Sequence, residues 1–170
     1  MRAFLVNTVA FLIAVLLQVM VAPYISIGGA SPNFLMIAVI IMALVEGPNT
    51  GTVLGFIAGF LFDLLGTGQV GPMALVLSLT GYITGLIHEN LFAEGWILPV
   101  AIIAVATFSS ETLYMLVIFL LGAQESLWSA FFGIVLPSTL YNAVFATIIC
   151  PILTRALRDN NNPVLFGTLR

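Results

Sequence analysis

Charged residues are scarce in this sequence, and their scarcity excludes several classes of protein. Of 170 residues only four are basic, all of them arginine, so there is no basic surface for binding nucleic acid. The single cysteine, Cys150, excludes an internal disulfide bond and a cysteine-based metal cluster. The single histidine, His88, precedes Glu89, but a zinc-protease HExxH motif needs a second histidine. We therefore expect no nucleic acid, no metal and no cofactor.

Apolar residues dominate the composition instead. Hydrophobic residues make up 61% of the chain, and the mean hydropathy is +1.20. A soluble fold could not bury this much apolar surface, so the bilayer is the expected solvent. Lipid permits only helices or a closed barrel, and continuous rather than alternating apolar runs favour helices. The sequence predicts an all-α integral membrane protein.

Turn signals divide the chain into six apolar runs. The runs cover residues 3–22, 34–45, 50–65, 72–92, 96–121 and 127–157. At 1.5 Å per residue, the run 34–45 is too short to cross a hydrocarbon core of about 30 Å upright, so whether it spans fully stays open. We predict a bundle of about six transmembrane helices.

All four arginines lie near the chain ends, at Arg2, Arg155, Arg158 and Arg170. Cytoplasmic segments carry an excess of basic residues, so both termini are predicted to be cytoplasmic, which requires an even number of spans. The run that starts at residue 3 resembles a signal peptide, but it is long and lacks a small-residue cleavage site. We therefore predict a transmembrane domain over 1–158 and a mobile cytoplasmic tail over 159–170.

Small residues recur at every fourth position on the third helix and reappear on the fourth. The positions are Gly47, Gly51, Gly55 and Gly59, continued by Asp63, and then Gly81 and Gly85. Such faces let helix backbones approach closely in lipid. They predict either packing inside the monomer or binding of a partner's transmembrane helix.

Asp63 and Glu111 are acids inside predicted spans, where ionisable residues are functional candidates. Asp63 precedes Gly66 and Gly68, so it can instead accept hydrogen bonds from turn amides and stabilise the loop. Glu111 lies near the middle of the fifth run with no basic residue at its depth. We expect it to be protonated or bonded to Ser138 and Asn142 in a polar cluster, or to form a proton or ligand site.

An enzyme is not expected. A serine-histidine intramembrane protease would need a serine near His88, which is placed at a predicted cytoplasmic edge, away from the serines beside Glu111. No other pair of acids or bases suggests catalysis.

Residues 31–92 carry a resemblance to a known family. The matching residues are Ser31-Pro32-Asn33, Glu46-Gly47-Pro48, the glycine series ending in Asp63-Leu64-Leu65-Gly66, Gly71-Pro72 and Gly81-Tyr82-x2-Gly85. In this order and spacing they resemble the MreD family of rod shape-determining proteins. The last two helices match only as hydrophobic spans.

The resemblance implies a multi-pass protein of the bacterial inner membrane without enzyme activity. It implies work in the cell-elongation machinery with an MreC-like protein, RodA, a class B penicillin-binding protein and, directly or indirectly, MreB. It also implies a fold similar to the substrate-binding S-components of energy-coupling-factor transporters. Two hypotheses follow: a scaffold for partner transmembrane helices, and a small-molecule carrier with a pocket at Glu111.

Overall fold

The computed structural model describes residues 2–27, 30–66, 68–87, 97–122 and 126–161. Within these ranges the chain forms six main helices and a short 3₁₀ turn, Ala22–Ile25. The helices are α1 (Arg2–Met20), α2 (Phe34–Glu46), α3 (Pro48–Leu65), α4 (Pro72–Leu86), α5 (Ile97–Leu120) and α6, which runs without a break through Leu127–Ala130, Phe131–Val135 and Leu136–Asn161. The predicted all-α bundle of about six helices is confirmed.

Length and composition separate these helices into two groups. Three stretches are long and apolar enough to cross a membrane: Pro48–Leu65, Leu98–Leu120 and Leu127–Arg155. Three apolar helices are shorter: Leu5–Met20, Phe34–Glu46 and Pro72–Leu86. Residues 88–92, the end of the fourth run predicted from sequence, lie outside the described residues, and so does His88.

The shortest of the six, α2, is the centre of the bundle. Every residue from Phe34 to Leu44 is buried, and α2 contacts each of the other five helices. Its 13 residues rise only about 20 Å. Because protein surrounds α2 on all sides, its length is not set by contact with lipid.

Polar contacts at both ends of α2 hold α1 beside it. The Asn7 side-chain amide donates a hydrogen bond to the Glu46 carboxyl at 2.5 Å. At the other end, the backbone N–H of Phe34 donates to Gln18 Oε1 at 2.8 Å. Asn7 precedes Gln18 whereas Phe34 precedes Glu46, so the two helices are antiparallel and their register is set at two points.

The sixth helix departs from α-helical geometry near its start. Residues Phe131–Val135 are π-helical, and the N–H of Leu136 donates to the carbonyl of Phe131, five residues back. Pro137 follows directly and has no N–H for the Gly133 carbonyl, which accounts for a local change of register. The domain boundary predicted at 158 falls in the last turn of α6, and the tail beyond Asn161 lies outside the described residues.

Candidate functional site

The glycines of α3 lie against the backbone of α4. A methyl group placed on Gly55 would overlap the carbonyl group of Leu77. Gly51 and Gly81 face each other, and a methyl group on either would overlap the carbonyl oxygen of the other. The obstructing atoms belong to the backbone, so rotation of a side chain cannot relieve the overlap. Glycine therefore permits a helix approach that no larger residue allows.

Two further glycines extend this contact along the helix pair. A methyl group on Gly59 would overlap the carbonyl of Met73, and one on Gly85 would overlap the backbone of Pro48. Gly47 has a different role. It forms the turn between α2 and α3, where its φ is +93°. That conformation is disfavoured for residues with a side chain, so Gly47 allows the abrupt change of direction before Pro48.

The face of small residues predicted on the third helix is therefore covered by α4 of the same chain. This is the intramolecular alternative that the sequence left open. A helix of another protein could touch these glycines only if α4 moved away. Direct partner binding by the glycines, and by Asp63 with them, stays a prediction.

Asp63 joins the end of α3 to the beginning of α4. Its Oδ2 atom accepts hydrogen bonds from the backbone N–H groups of Gly71 at 2.8 Å, Met73 at 3.0 Å and Ala74 at 3.2 Å. The side chain is 4% exposed. A negative charge is unfavourable at the end of α3 but favourable at the start of α4, towards which this carboxylate points. Asp63 thus has the turn-stabilising contacts that its position predicted.

Three side-chain oxygens from three parts of the chain meet the start of α2. Gln18 accepts from the N–H of Phe34, and Asn33 accepts from the N–H of Met36 at 2.9 Å. Asn142 of α6 accepts from the backbone N–H of Asn33 at 2.8 Å. The first N–H groups of a helix have no partner within it, so in a buried position these oxygens supply the missing acceptors.

This arrangement leaves two amide groups without partners. Among the described residues, the side-chain NH₂ groups of Asn33 and Asn142 are buried and have no hydrogen-bond acceptor. Exchanging the amide oxygen and nitrogen does not help, because each oxygen already accepts from a backbone N–H. The start of α2 therefore retains uncompensated donors.

Glu111 does not form the predicted cluster through hydrogen bonds. Its side chain is 8% exposed, and in the described part of the chain no residue donates a hydrogen bond to it. Asn142 instead accepts a hydrogen bond at the start of α2. Ser138 is buried on α6. The neighbouring Ser110 pairs with Thr80 of α4 at 2.6 Å. Whether Glu111 binds a proton or a ligand stays a prediction.

A cavity of about 120 Å³ lies beside Glu111, between α5 and α6. Its lining includes Glu111, Tyr114 and Ile118 from α5, and Ala130, Ile134 and Val135 from α6. The last two belong to the π-helical segment, a type of distortion that is frequent at functional sites. Asn142 is not part of the lining. The cavity combines one buried carboxyl group with an otherwise largely apolar surface.

Sequence reasoning missed Asn7, Gln18 and Thr80, and assigned Asn33 no contact of its own. A usable signal was present, because an amide or hydroxyl group inside an apolar run needs a hydrogen-bond partner when water is absent. The sequence could identify these residues as members of polar contacts. It could not say which residue on another helix is the partner.

These features define a helical membrane protein whose buried polar and small residues hold its helices together. Residues 1–159 match the model of the rod shape-determining protein MreD family, and the chain belongs to that family. The family predicted from the pattern over residues 31–92 is confirmed.

No curated protein and no solved structure matches the chain. The expected likeness to transporter S-components stays a prediction. Membership gives the chain a role in determining rod shape.

Proposed function

We propose that the chain is a non-enzymatic scaffold of the bacterial cell-elongation machinery, placed in the inner membrane with both termini in the cytoplasm. Its partners would be an MreC-like protein, RodA and a class B penicillin-binding protein, with MreB bound directly or through them. The scaffold would control cell shape and wall synthesis by holding these proteins together. Membership of a rod shape-determining family supports this proposal.

One observation carries the proposal: the described chain consists almost wholly of six apolar helices joined by short connections. The residues that the structure describes include no folded domain between these helices that could bind a partner in water. Recognition must take place mainly along the helices or at their ends. In lipid, helix association depends on packing and hydrogen bonds rather than on the hydrophobic effect.

A groove between α1 and α6 offers a surface for such packing. It is lined by Leu5, Val9, Ile13 and Leu17 along one face of α1, by Ile149, Ile152 and Leu153 of α6, and by Phe34 and Ala38 of α2 at its base. The volume of about 480 Å³ is apolar and open. We propose that a partner's transmembrane helix, or a membrane lipid in its absence, occupies this groove.

The alternative function, a small-molecule carrier, depended on a pocket at Glu111. That cavity measures about 120 Å³, whereas ligand sites usually measure about 300–1,000 Å³. The cavity is therefore smaller than the sites that usually bind vitamin-sized molecules. The scaffold is therefore the better supported function.

The test is affinity purification of the tagged chain in mild detergent, with the MreC-like protein, RodA and the penicillin-binding protein quantified. We expect these proteins to co-purify with the wild-type chain. Val9→Trp, which fills the groove, should lower several-fold the recovery of the protein whose helix binds there. Cells that carry this variant should lose their rod shape and become round. Leu12→Trp is the matched control, because Leu12 is 55% exposed on the same helix, as Val9 is at 54%, but does not line the groove.

Three results would contradict the proposal. One is that none of the proteins co-purifies with a chain that is folded. Another is equal recovery of all partners with Val9→Trp and Leu12→Trp, which would remove the groove as a docking site. The third is a stoichiometric small molecule in native mass spectra, which would restore the carrier hypothesis.

A further inference from the structure

The Glu111 carboxyl is the one buried acid in the described residues that has no hydrogen-bond partner there. Asp63, the other acid buried in a span, accepts from three backbone N–H groups. Glu111 is 8% exposed and accepts from none of the described residues. An unpaired polar group is unfavourable in a medium without water. The described part of the chain therefore supplies no hydrogen-bond donor to the Glu111 carboxyl.

The cavity beside Glu111 has room for such a donor. Its volume of about 120 Å³ is close to that of an engineered cavity of about 150 Å³ that accepts benzene. One large side chain fits a space of this size. The π-helical segment, through Ile134 and Val135, forms the wall opposite α5.

The position of the cavity indicates how an occupant would arrive. Glu111 lies within the stretch Leu98–Leu120, which is long and apolar enough to span the membrane. Two residues that line the cavity, Phe119 of α5 and Ile134 of α6, are themselves 43% and 39% exposed. The cavity is thus open at its side and bordered by apolar surface that faces lipid. A group that enters from lipid is most readily carried by another transmembrane helix.

We propose that the cavity receives one hydrogen-bond-donating side chain, a lysine, arginine, asparagine or glutamine, from the transmembrane helix of a partner in the rod-shape machinery. The side chain donates to the Glu111 carboxyl, and its stem contacts the apolar lining. This inference rests on the proposed scaffold function and adds the chemistry of one contact. It differs from the groove beside α1, which is apolar throughout.

Site-specific photo-crosslinking in living cells tests the contact. The probe is p-benzoylphenylalanine in place of Ile118, which lines the cavity. The matched control carries the probe at Leu116, which lies on the same helix but does not line the cavity. We expect Ile118 to crosslink a co-purifying rod-shape protein through a transmembrane peptide that contains a donor residue, with at least a several-fold lower yield at Leu116.

Variants of Glu111 separate a partner contact from a structural role. Glu111→Leu should lower the crosslinking yield about tenfold, because an interhelical polar contact contributes about 1–2 kcal/mol in lipid. Glu111→Gln keeps an oxygen acceptor and should retain most of the yield. Ala130→Phe fills the cavity from α6 without changing Glu111, and should also abolish crosslinking. Circular dichroism in detergent should show all three variants folded.

The inference is overturned if the crosslinked peptide contains no donor residue, or if Glu111→Leu and Ala130→Phe leave the yield unchanged. It is also overturned if the partner's donor residue can be replaced by leucine without loss of crosslinking. In these cases co-purification of the partners would still support the scaffold. Loss of co-purification from the wild-type chain would instead refute the proposed function itself.

Discussion

Asp63 at the end of α3 accepts a hydrogen bond from the backbone N–H of Gly71 at 2.8 Å, so a single carboxylate connects two helices across their turn. The same oxygen serves two more N–H groups at the start of α4. A bundle whose outer surface is apolar thus depends on a polar contact at a helix end. Comparable contacts recur where α1 and α6 meet the start of α2.

Asp63→Ala should lower the free energy of unfolding by about 2 kcal/mol, because it removes a helix cap and leaves buried N–H groups without an acceptor. The measurement is unfolding in detergent followed by circular dichroism. Leu64→Ala is the control, since Leu64 is 55% exposed, and it should change stability by less than about 0.5 kcal/mol. Equal losses in the two variants would show that the Asp63 contacts do not stabilise the turn.

Gly55→Ala should destabilise the chain by about 1–3 kcal/mol, the usual cost of forcing extra volume into a packed contact. The added methyl group meets the Leu77 backbone, so α3 and α4 must separate. Gly133→Ala is the matched control, because a methyl group there meets nothing within 4 Å. Thermal unfolding should show a clear loss for the first variant and none for the second. A Gly55→Ala chain as stable as wild type would refute close packing at this position.

Asn142→Ala should lower the free energy of unfolding by about 1–2 kcal/mol, because the buried backbone N–H of Asn33 loses its acceptor. Val144→Ala is the control on the same helix, at a position that is 61% exposed. Unfolding by denaturing detergent should separate the two variants. If they unfold at the same detergent fraction, the link between α6 and the start of α2 contributes no stability.

Both chain termini should face the cytoplasm, because the arginines lie near the two ends. Green fluorescent protein should therefore fluoresce when fused to either end. Alkaline phosphatase should be inactive at the C-terminus and active when inserted after Gly122, between α5 and α6. Phosphatase activity at the C-terminus would reverse this orientation or change the number of spans.

The apolar runs predicted the six helices closely. The ends of α2 and α3 fall within two residues of the predicted limits, as at Glu46 and Pro48. This agreement has a physical basis: in lipid every backbone group must be paired within a helix, so a long apolar run has few alternatives. The contacts of Asp63 could also be predicted, because the glycine turn next to it in sequence offers backbone N–H groups that its carboxylate can accept from.

The residues around Glu111 were harder to predict. Glu111 was expected to meet Ser138 and Asn142, but it lines a cavity with Ile134 and Val135, while Asn142 accepts from Asn33. The side of a membrane helix that faces lipid and the side that faces another helix are both apolar, so hydropathy does not show which side contacts a neighbour. The depth of a residue in the membrane does not by itself identify the residue that it contacts on the next helix.

The sequence by itself determined the solvent, the helices, their approximate limits and the family, because each depends on local apolar length or on spacing along the chain. The tertiary structure alone decided that α2 is enclosed by the other five helices and that α4 packs against the glycines of α3. It also decided that Asn142 accepts a hydrogen bond at the start of α2, whereas Glu111 lines a cavity. These outcomes depend on the rotation and tilt of each helix, which are set by packing between residues far apart in sequence.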